Sequence, residues 1–272
     1  MLLKLYQPRP QLKNYISMIW SFESENGIPI NDLKQIVPNG ELKLIVPYKN
    51  KLKSRIDGKE TTHKESSIIV VGQMTSSAFI DGEGQVGTLG IMFKPSLVYR
   101  IFQIGLHELT NFTLSLEDIF GSTGSRLLEV VANEEKVEDK IRVIENFLID
   151  QIEYNNKTNH LYEHAVESII KSNGLLNIYD IVDDTGYSKK HLERLFKTNI
   201  GVLPKTFSKI FRFYNIYKSL NLSEEEKNSL DGVYDYYYDQ AHFIKEFKHF
   251  TGITPGHFSR QTNNFGKIFL KQ

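Results

Sequence analysis

The chain has 272 residues, 40% of them hydrophobic, and its 33 Lys and Arg balance 33 Asp and Glu for a formal net charge of zero, as in an ordinary globular protein with room for about two domains. It contains no Cys, which excludes disulfides, thiolate nucleophiles and Cys-ligated zinc. No stretch approaches the roughly 20 apolar residues of a membrane span, and Pro8 and Pro10 interrupt the N-terminus before an apolar core region develops, so a cytoplasmic protein without membrane contact is expected.

The first half reads as short strands. ELKLIVPY (41–48) alternates at its start, while SSIIVVGQ (66–73) and VGTLGIMF (86–93) are brief apolar runs, and PNG, DGK and DGEGQ segments supply turns. This pattern predicts a small β-barrel or sandwich. A helical tail follows, expected at Ser96 to Ile104, Leu116 to Phe120, Gly124 to Val131 and Val137 to about Glu153, before a polar hinge at Asn155 to Asn159. Asn39, Glu41, Gln73 and Lys94 fall at strand ends, where they either line a ligand pocket or make turn and edge hydrogen bonds. Residues 1–159 hold only His63, in a Lys/Glu-rich loop, and His107, too few imidazoles for a metal centre of three or so ligands. No GxSxG elbow, P-loop, GxGxxG fingerprint or HExxH is present, so neither an enzyme nor a cofactor is expected.

The second half repeats itself. HLERLFKTNIGVLPKTF, from His191, returns 51 residues later as HFIKEFKHFTGITPGHF, from His242. The alignment pairs Phe196 with Phe247, Lys197 with Lys248, Gly201 with Gly252, Pro204 with Pro255 and Phe207 with Phe258, the last two being core candidates. Two copies fall short of a solenoid and point to one duplicated supersecondary unit.

In the first copy Asn177 caps a helix reading IYDIVDDT, Gly186 supplies a left-handed turn residue, and Ser188 caps the next helix. On that second helix Leu192, Leu195 and Phe196 form an apolar back, and Lys189, Lys190, Glu193, Arg194 and Lys197 form a polar, mainly basic front. The second copy expects a helix from Glu224 to Asp235, then Asp239 as cap of QAHFIKEFKHF. There Phe243, Glu246, Phe247 and Phe250 lie on the packed side or its border, and Gln240, Ala241, Ile244, Lys245 and Lys248 face outward. Thr206 to Leu220 joins the copies as an amphipathic helix striped by Phe207, Ile210, Phe211, Tyr214, Tyr217 and Leu220, with Lys209, Arg212 and Lys218 off the stripe. A basic stripe alone describes any solvated helix face. Its duplication, with matched turn and exit residues, points to a duplicated unit whose free basic face can touch something anionic.

GYSKKHLERLFK, the spacing to YYDQAHFIKEFKHFTGITPGHF and the helix between them resemble the double helix-turn-helix DNA-binding domain of the AraC family of bacterial transcription regulators, over residues 160 to 262. The resemblance implies seven helices, with the third and sixth in successive major-groove segments of double-stranded DNA. It matches Lys190, Glu193, Arg194, Gln240, Ala241, Ile244 and Lys245 to base-reading positions. These are side chains that can donate to guanine, pair with adenine, accept from cytosine or touch a thymine methyl. Lys189, Lys197, Lys205 and Lys248 read as phosphate contacts. The sequence departs from the family pattern at Tyr236, where Gly is usual, and at Gly232, where a small aliphatic residue is usual, which predicts a remodelled second turn.

VPNGELKLIV, VVGQMTSSAFI and GIMFKPSLVYRIFQIGLHELTNFTLSLEDIFG resemble a domain of uncharacterised role often fused to such modules, similar to a cupin-type barrel. The expectation is an α+β chain. Residues 1–155 form a β-rich sensor or dimerisation domain and 156–272 an all-α DNA-binding domain. Further partners open to it are a small-molecule effector, RNA polymerase and a second copy of the chain.

Overall fold

The computed structural model describes residues 1–155, 157–220, 237 and 239–270. The N-terminal part is a sandwich of two antiparallel sheets. Its strands are β1 (Leu2–Tyr6), β2 (Ile16–Ser24), β3 (Gln35–Ile36), β4 (Leu42–Lys49), β5 (Leu52–Ile56), β6 (Lys59–His63), β7 (Ile69–Val71), β8 (Ala78–Asp81), β9 (Val86–Phe93) and β10 (Thr113–Ser115). One sheet runs β1-β2-β9-β4-β7-β10 and the other β3-β8-β5-β6.

The larger sheet is apolar on both faces, which explains why β9 reads as an unbroken apolar run: all eight of its residues are buried. Met18, Trp20, Phe22 and Met92 point toward the smaller sheet. Ile19, Leu44, Leu89, Ile91 and Phe93 point outward, beneath α1 (Leu116–Phe120), α2 (Ser122–Asn133) and α3 (Val137–Tyr154). Ile141, Ile144, Phe147 and Leu148 recur at helical spacing on the buried side of α3. The β5–β6 hairpin turns through Asp57 and Gly58, at φ 50° and 76°, the two left-handed residues a tight hairpin requires.

Two expectations need correction. The stretch Ser96 to Ile104 forms only a 3-10 turn at Val98–Arg100, because Val98, Ile101 and Phe102 are all driven into the core. A three-residue step puts Val98 and Ile101 on one side. His63, expected in a loop, ends strand β6 and is buried, with Nε2 2.7 Å from Ser54 Oγ. The polar segment expected as a hinge is tethered at both ends. Asn155 Nδ2 donates to the Arg100 carbonyl, and the Asn159 amide donates to the Tyr99 hydroxyl at 3.0 Å.

The C-terminal part is helical: α4 (His160–Lys171), α5 (Ile178–Thr185), α6 (Lys189–Asn199), α7 (Pro204–Leu220), α8 (Gln240–Thr251), α9 (Pro255–Phe258) and α10 (Asn264–Ile268). A β-rich N-terminal unit followed by this helical array is the architecture the resemblance implies. Tyr162, Ile181, Leu192, Phe196, Phe207, Ile210 and Phe213 form its core with Phe247, Phe250 and Phe258. The expected helix over 224–235, with Gly232 and Tyr236, lies outside the described residues.

Candidate nucleic-acid interface

The first helical pair is built from local chemistry. The Asn177 side chain accepts from the Tyr179 amide to start α5, and Gly186, at φ 69°, ends it in a left-handed turn. Ser188 then accepts from the His191 amide and opens α6. Leu192 and Phe196 are buried on its back, whereas Lys189, Lys190, Arg194 and Lys197 are exposed and Glu193 is half-buried. Lys189 Nζ lies 5.7 Å from the Tyr179 ring centre, and Arg194 Nη2 lies 3.2 Å from His191 Nδ1. Lys205, near the start of α7, is exposed.

Helix α8 is built alike. Asp239 accepts from the His242 amide at 2.7 Å, and Gly252, at φ 80°, closes the helix. Phe243, Phe247 and Phe250 are buried, while Gln240, Ala241, Ile244, Lys245 and Lys248 are exposed. Both helices thus present their outward residues to solvent. A free cationic front can meet a phosphate backbone, and its amide and guanidinium groups have the shapes that read base edges.

The linking helix differs from its expected stripe. Phe213 and Ile216 are buried, whereas Phe211 and Tyr214 are half-buried; the Phe211 ring covers Gly40, and Tyr214 lines the sandwich cavity. Arg212 is engaged with Glu246 of α8, and the Tyr237 hydroxyl donates to the same carboxylate at 2.7 Å. The clue was Glu246 itself, a lone carboxylate on an otherwise aromatic face.

Between the two sheets lies a cavity of about 120 Å³. Trp20, Phe22, Ile45, Val71 and Met92 make much of its wall, and Tyr214, Tyr217, Phe265 and Phe269 close it from the C-terminal part. Asn39 lines it and is hydrogen-bonded to Lys43 Nζ and to Glu41, which forms part of the same cluster. Burial pushes the Lys43 ammonium down to about 8, against the pull of Glu41, and burial pushes the Glu41 carboxyl up. Gln73 is buried, its amide nitrogen donating to the Met74 carbonyl, beside Gly201 at the junction with α6. Lys94 donates to the Lys13 carbonyl at 2.8 Å. Of these four residues, Asn39 alone contributes to the lining of this cavity.

Sequence reasoning missed the closing segment. Phe265, Ile268 and Phe269 recur at the i, i+3, i+4 spacing of an amphipathic helix, and that spacing was its signal. Among the described residues no cluster of three or more His, Asp or Glu could hold a metal ion, and no helix is long and apolar enough to cross a membrane.

A family model described as a domain of unknown function, DUF6597, matches residues 4–115. No curated protein matches the sequence. Among solved structures, ToxT from Vibrio cholerae is similar at 12% identity, with 88% of this chain and 97% of that chain covered and a TM-score of 0.48. Unsaturated fatty acid bound ToxT from the same organism is similar at 11% identity, with 89% and 95% covered and a TM-score of 0.47. A cupin superfamily protein from Desulfitobacterium hafniense is similar at 13% identity over 34% of this chain and 75% of that chain, with a TM-score of 0.27.

Proposed function

We propose that this chain is a sequence-specific DNA-binding transcription regulator that reads successive major-groove segments with α6 and α8. One observation supports this above all others. Two helices of like sequence each carry a side-chain cap, a buried apolar back and an exposed front that includes Lys190 and Arg194 in one and Gln240 and Lys245 in the other. Helix-turn-helix proteins commonly reach two half-sites, roughly 34 Å apart, by dimerising. A tandem pair supplies both probes from one polypeptide. Base contacts fall to Lys190, Glu193, Arg194, Gln240, Ala241, Ile244 and Lys245, and phosphate contacts to Lys189, Lys197, Lys205 and Lys248.

Selection of bound duplexes from a random library tests the reading. A bipartite motif with two specified segments about one helical turn apart is expected. Recovery of no consensus would reject it.

A second reading, in which the N-terminal unit is a small-molecule sensor and DNA binding is secondary or weak, draws support from the cavity that both parts of the chain enclose. Equal affinity for selected and scrambled duplexes, alongside tight binding of a small molecule, would favour it.

A further inference from the structure

The segment after α9 leaves the helical array and returns to the sandwich. The Leu33 amide donates to the Thr262 carbonyl at 2.7 Å, and the Asp32 carboxylate accepts from the amides of Asn264 and Phe265. Asn263 is buried and spans three groups: its Oδ1 accepts from the Gln35 amide, and its Nδ2 donates to the Gln35 carbonyl and the Tyr217 hydroxyl. So anchored, α10 turns its aromatics inward. The Phe269 ring lies edge-on to Trp20 with centroids 4.8 Å apart, and Phe265 lies edge-on to Phe22 at 5.3 Å.

Beneath these rings the wall holds polar atoms whose hydrogen-bonding capacity is unused. Trp20 Nε1, Thr88 Oγ1 and Gln35 Oε1 are buried without a partner, in residues that are 6%, 3% and 0% exposed. Three such atoms around one mainly apolar cavity are unusual, because buried polar groups are ordinarily paired. Phe22 pairs with Thr88 across β2 and β9, and Trp20 with Gly90, so Trp20 and Thr88 are diagonal neighbours on the inner face. Of the basic side chains that line it, Lys43 is bound to Asn39 beside Glu41, and His63 is paired with Ser54 and its pKa lowered by burial, while Lys53 also borders a second, outer pocket with Asp81 and Glu83.

Gln35 also connects the cavity to the reading head. Its Nε2 donates at 2.6 Å to the carbonyl of Thr251, the last residue of α8. On the other flank Ser77 donates through both its amide and its hydroxyl to the Phe250 carbonyl.

We propose that the chain's own C-terminal segment, residues 263–270, is the lid of a binding site for a compact, uncharged, mainly apolar molecule bearing one hydroxyl or carbonyl group, and that Gln35 passes its occupancy to α8. At about 120 Å³ the cavity is somewhat smaller than an apolar cavity of about 150 Å³ that takes up benzene, so its occupant is no larger than a single six-membered ring with one small polar substituent. The polar group meets Trp20 and Thr88. The coupling half of this inference rests on the DNA-binding reading above; the binding half does not.

Trp20 is the single tryptophan of the chain, so its emission reports on cavity and lid together. The full chain is titrated with cyclohexanol, cyclohexanecarboxylate and buffer alone, following Trp20 fluorescence and the melting temperature. Cyclohexanol is expected to give a saturable emission change and a higher Tm, and cyclohexanecarboxylate neither. Thr88→Val should weaken cyclohexanol about tenfold, the worth of one neutral hydrogen bond. Phe269→Ala should raise acrylamide quenching of Trp20 several-fold. No saturable response to cyclohexanol, or an equal response to the carboxylate, overturns the site as described, and unchanged quenching in Phe269→Ala overturns the lid. With the site established, DNA affinity is measured with and without cyclohexanol in the parent and in Gln35→Met. A shift in the parent that Gln35→Met abolishes supports the coupling, and equal behaviour of the two chains overturns it. Absence of DNA binding by the parent would instead count against the DNA-binding reading and leave the site standing.

Discussion

Arg212 of α7 clasps Glu246 of α8, its Nη2 reaching Oε1 at 2.8 Å and Oε2 at 2.6 Å while Nε donates to Oε1 at 3.1 Å. The pair is largely withdrawn from water, with side chains 17% and 5% exposed, and the Tyr237 ring lies 4.8 Å from the guanidinium carbon. It ties the second outward-facing helix to the one that joins the two copies. Removing one partner leaves the other charge buried and alone. Glu246→Ala is therefore expected to cost about 3–5 kcal/mol in urea unfolding. The double variant Arg212→Leu/Glu246→Leu should be less destabilised than either single change.

The caps make a smaller prediction. Ser188 and Asp239 each satisfy an amide of the first turn of their helix. Ser188→Ala and Asp239→Ala should each cost about 1 kcal/mol by chemical denaturation. A loss below the error of that measurement in both would mean the caps do not hold α6 and α8 in place.

Gly40 and Gly186 both have positive φ, at 84° and 69°, yet they should respond differently. A Cβ at Gly40 would overlap the Phe211 ring of α7, whereas one at Gly186 meets nothing within 4 Å. Gly186→Ala carries the left-handed backbone penalty alone, about 1–2 kcal/mol. Gly40→Ala adds a clash across the seam between sandwich and α7, and its melting temperature should fall further.

Lys43 gives a pH signature. Its folded value of about 8 lies below the roughly 10.4 of an unfolded lysine. Between these values the unfolded chain binds more protons, so this residue makes stability rise with pH across that window. Relative to Lys43→Met, the parent should gain stability between about pH 8 and pH 10 in urea titrations. Parallel curves for the two chains would contradict a buried, depressed ammonium.

How much of this was legible in the sequence follows from how local the signals are. Asn177, Gly186, Ser188 and Asp239 act within one turn of themselves, so residue type and spacing disclosed them. Strand β9 was visible as an apolar run. Strand β2 was not, because its residues are buried on both faces and ISMIWSFES follows no simple alternation. The polar β5–β6 hairpin showed only its Asp57-Gly58 turn. Contacts far apart in the chain stayed hidden: Gln35 with Asn263, Arg212 with Glu246, and Phe269 with Trp20. The first and third need the two halves packed together and the second needs α7 and α8 packed, which no window of sequence displays. The candidate base-reading residues came from the resemblance, and the cavity wall emerged only from the fold.

The proposed phosphate contacts should separate from the proposed base contacts in their salt response. Lys197→Ala should weaken cognate and scrambled duplexes alike and reduce the slope of log affinity against log salt by about one.

The most direct test of the paired reading head is hydroxyl-radical footprinting of the parent, Arg194→Ala and Lys245→Ala on a selected duplex. The parent should protect two segments about one helical turn apart. Each variant should lose protection of a different segment and about 1–3 kcal/mol of specific affinity. Loss of the same segment in both variants, or footprints that match the parent, would contradict two helices reading one duplex.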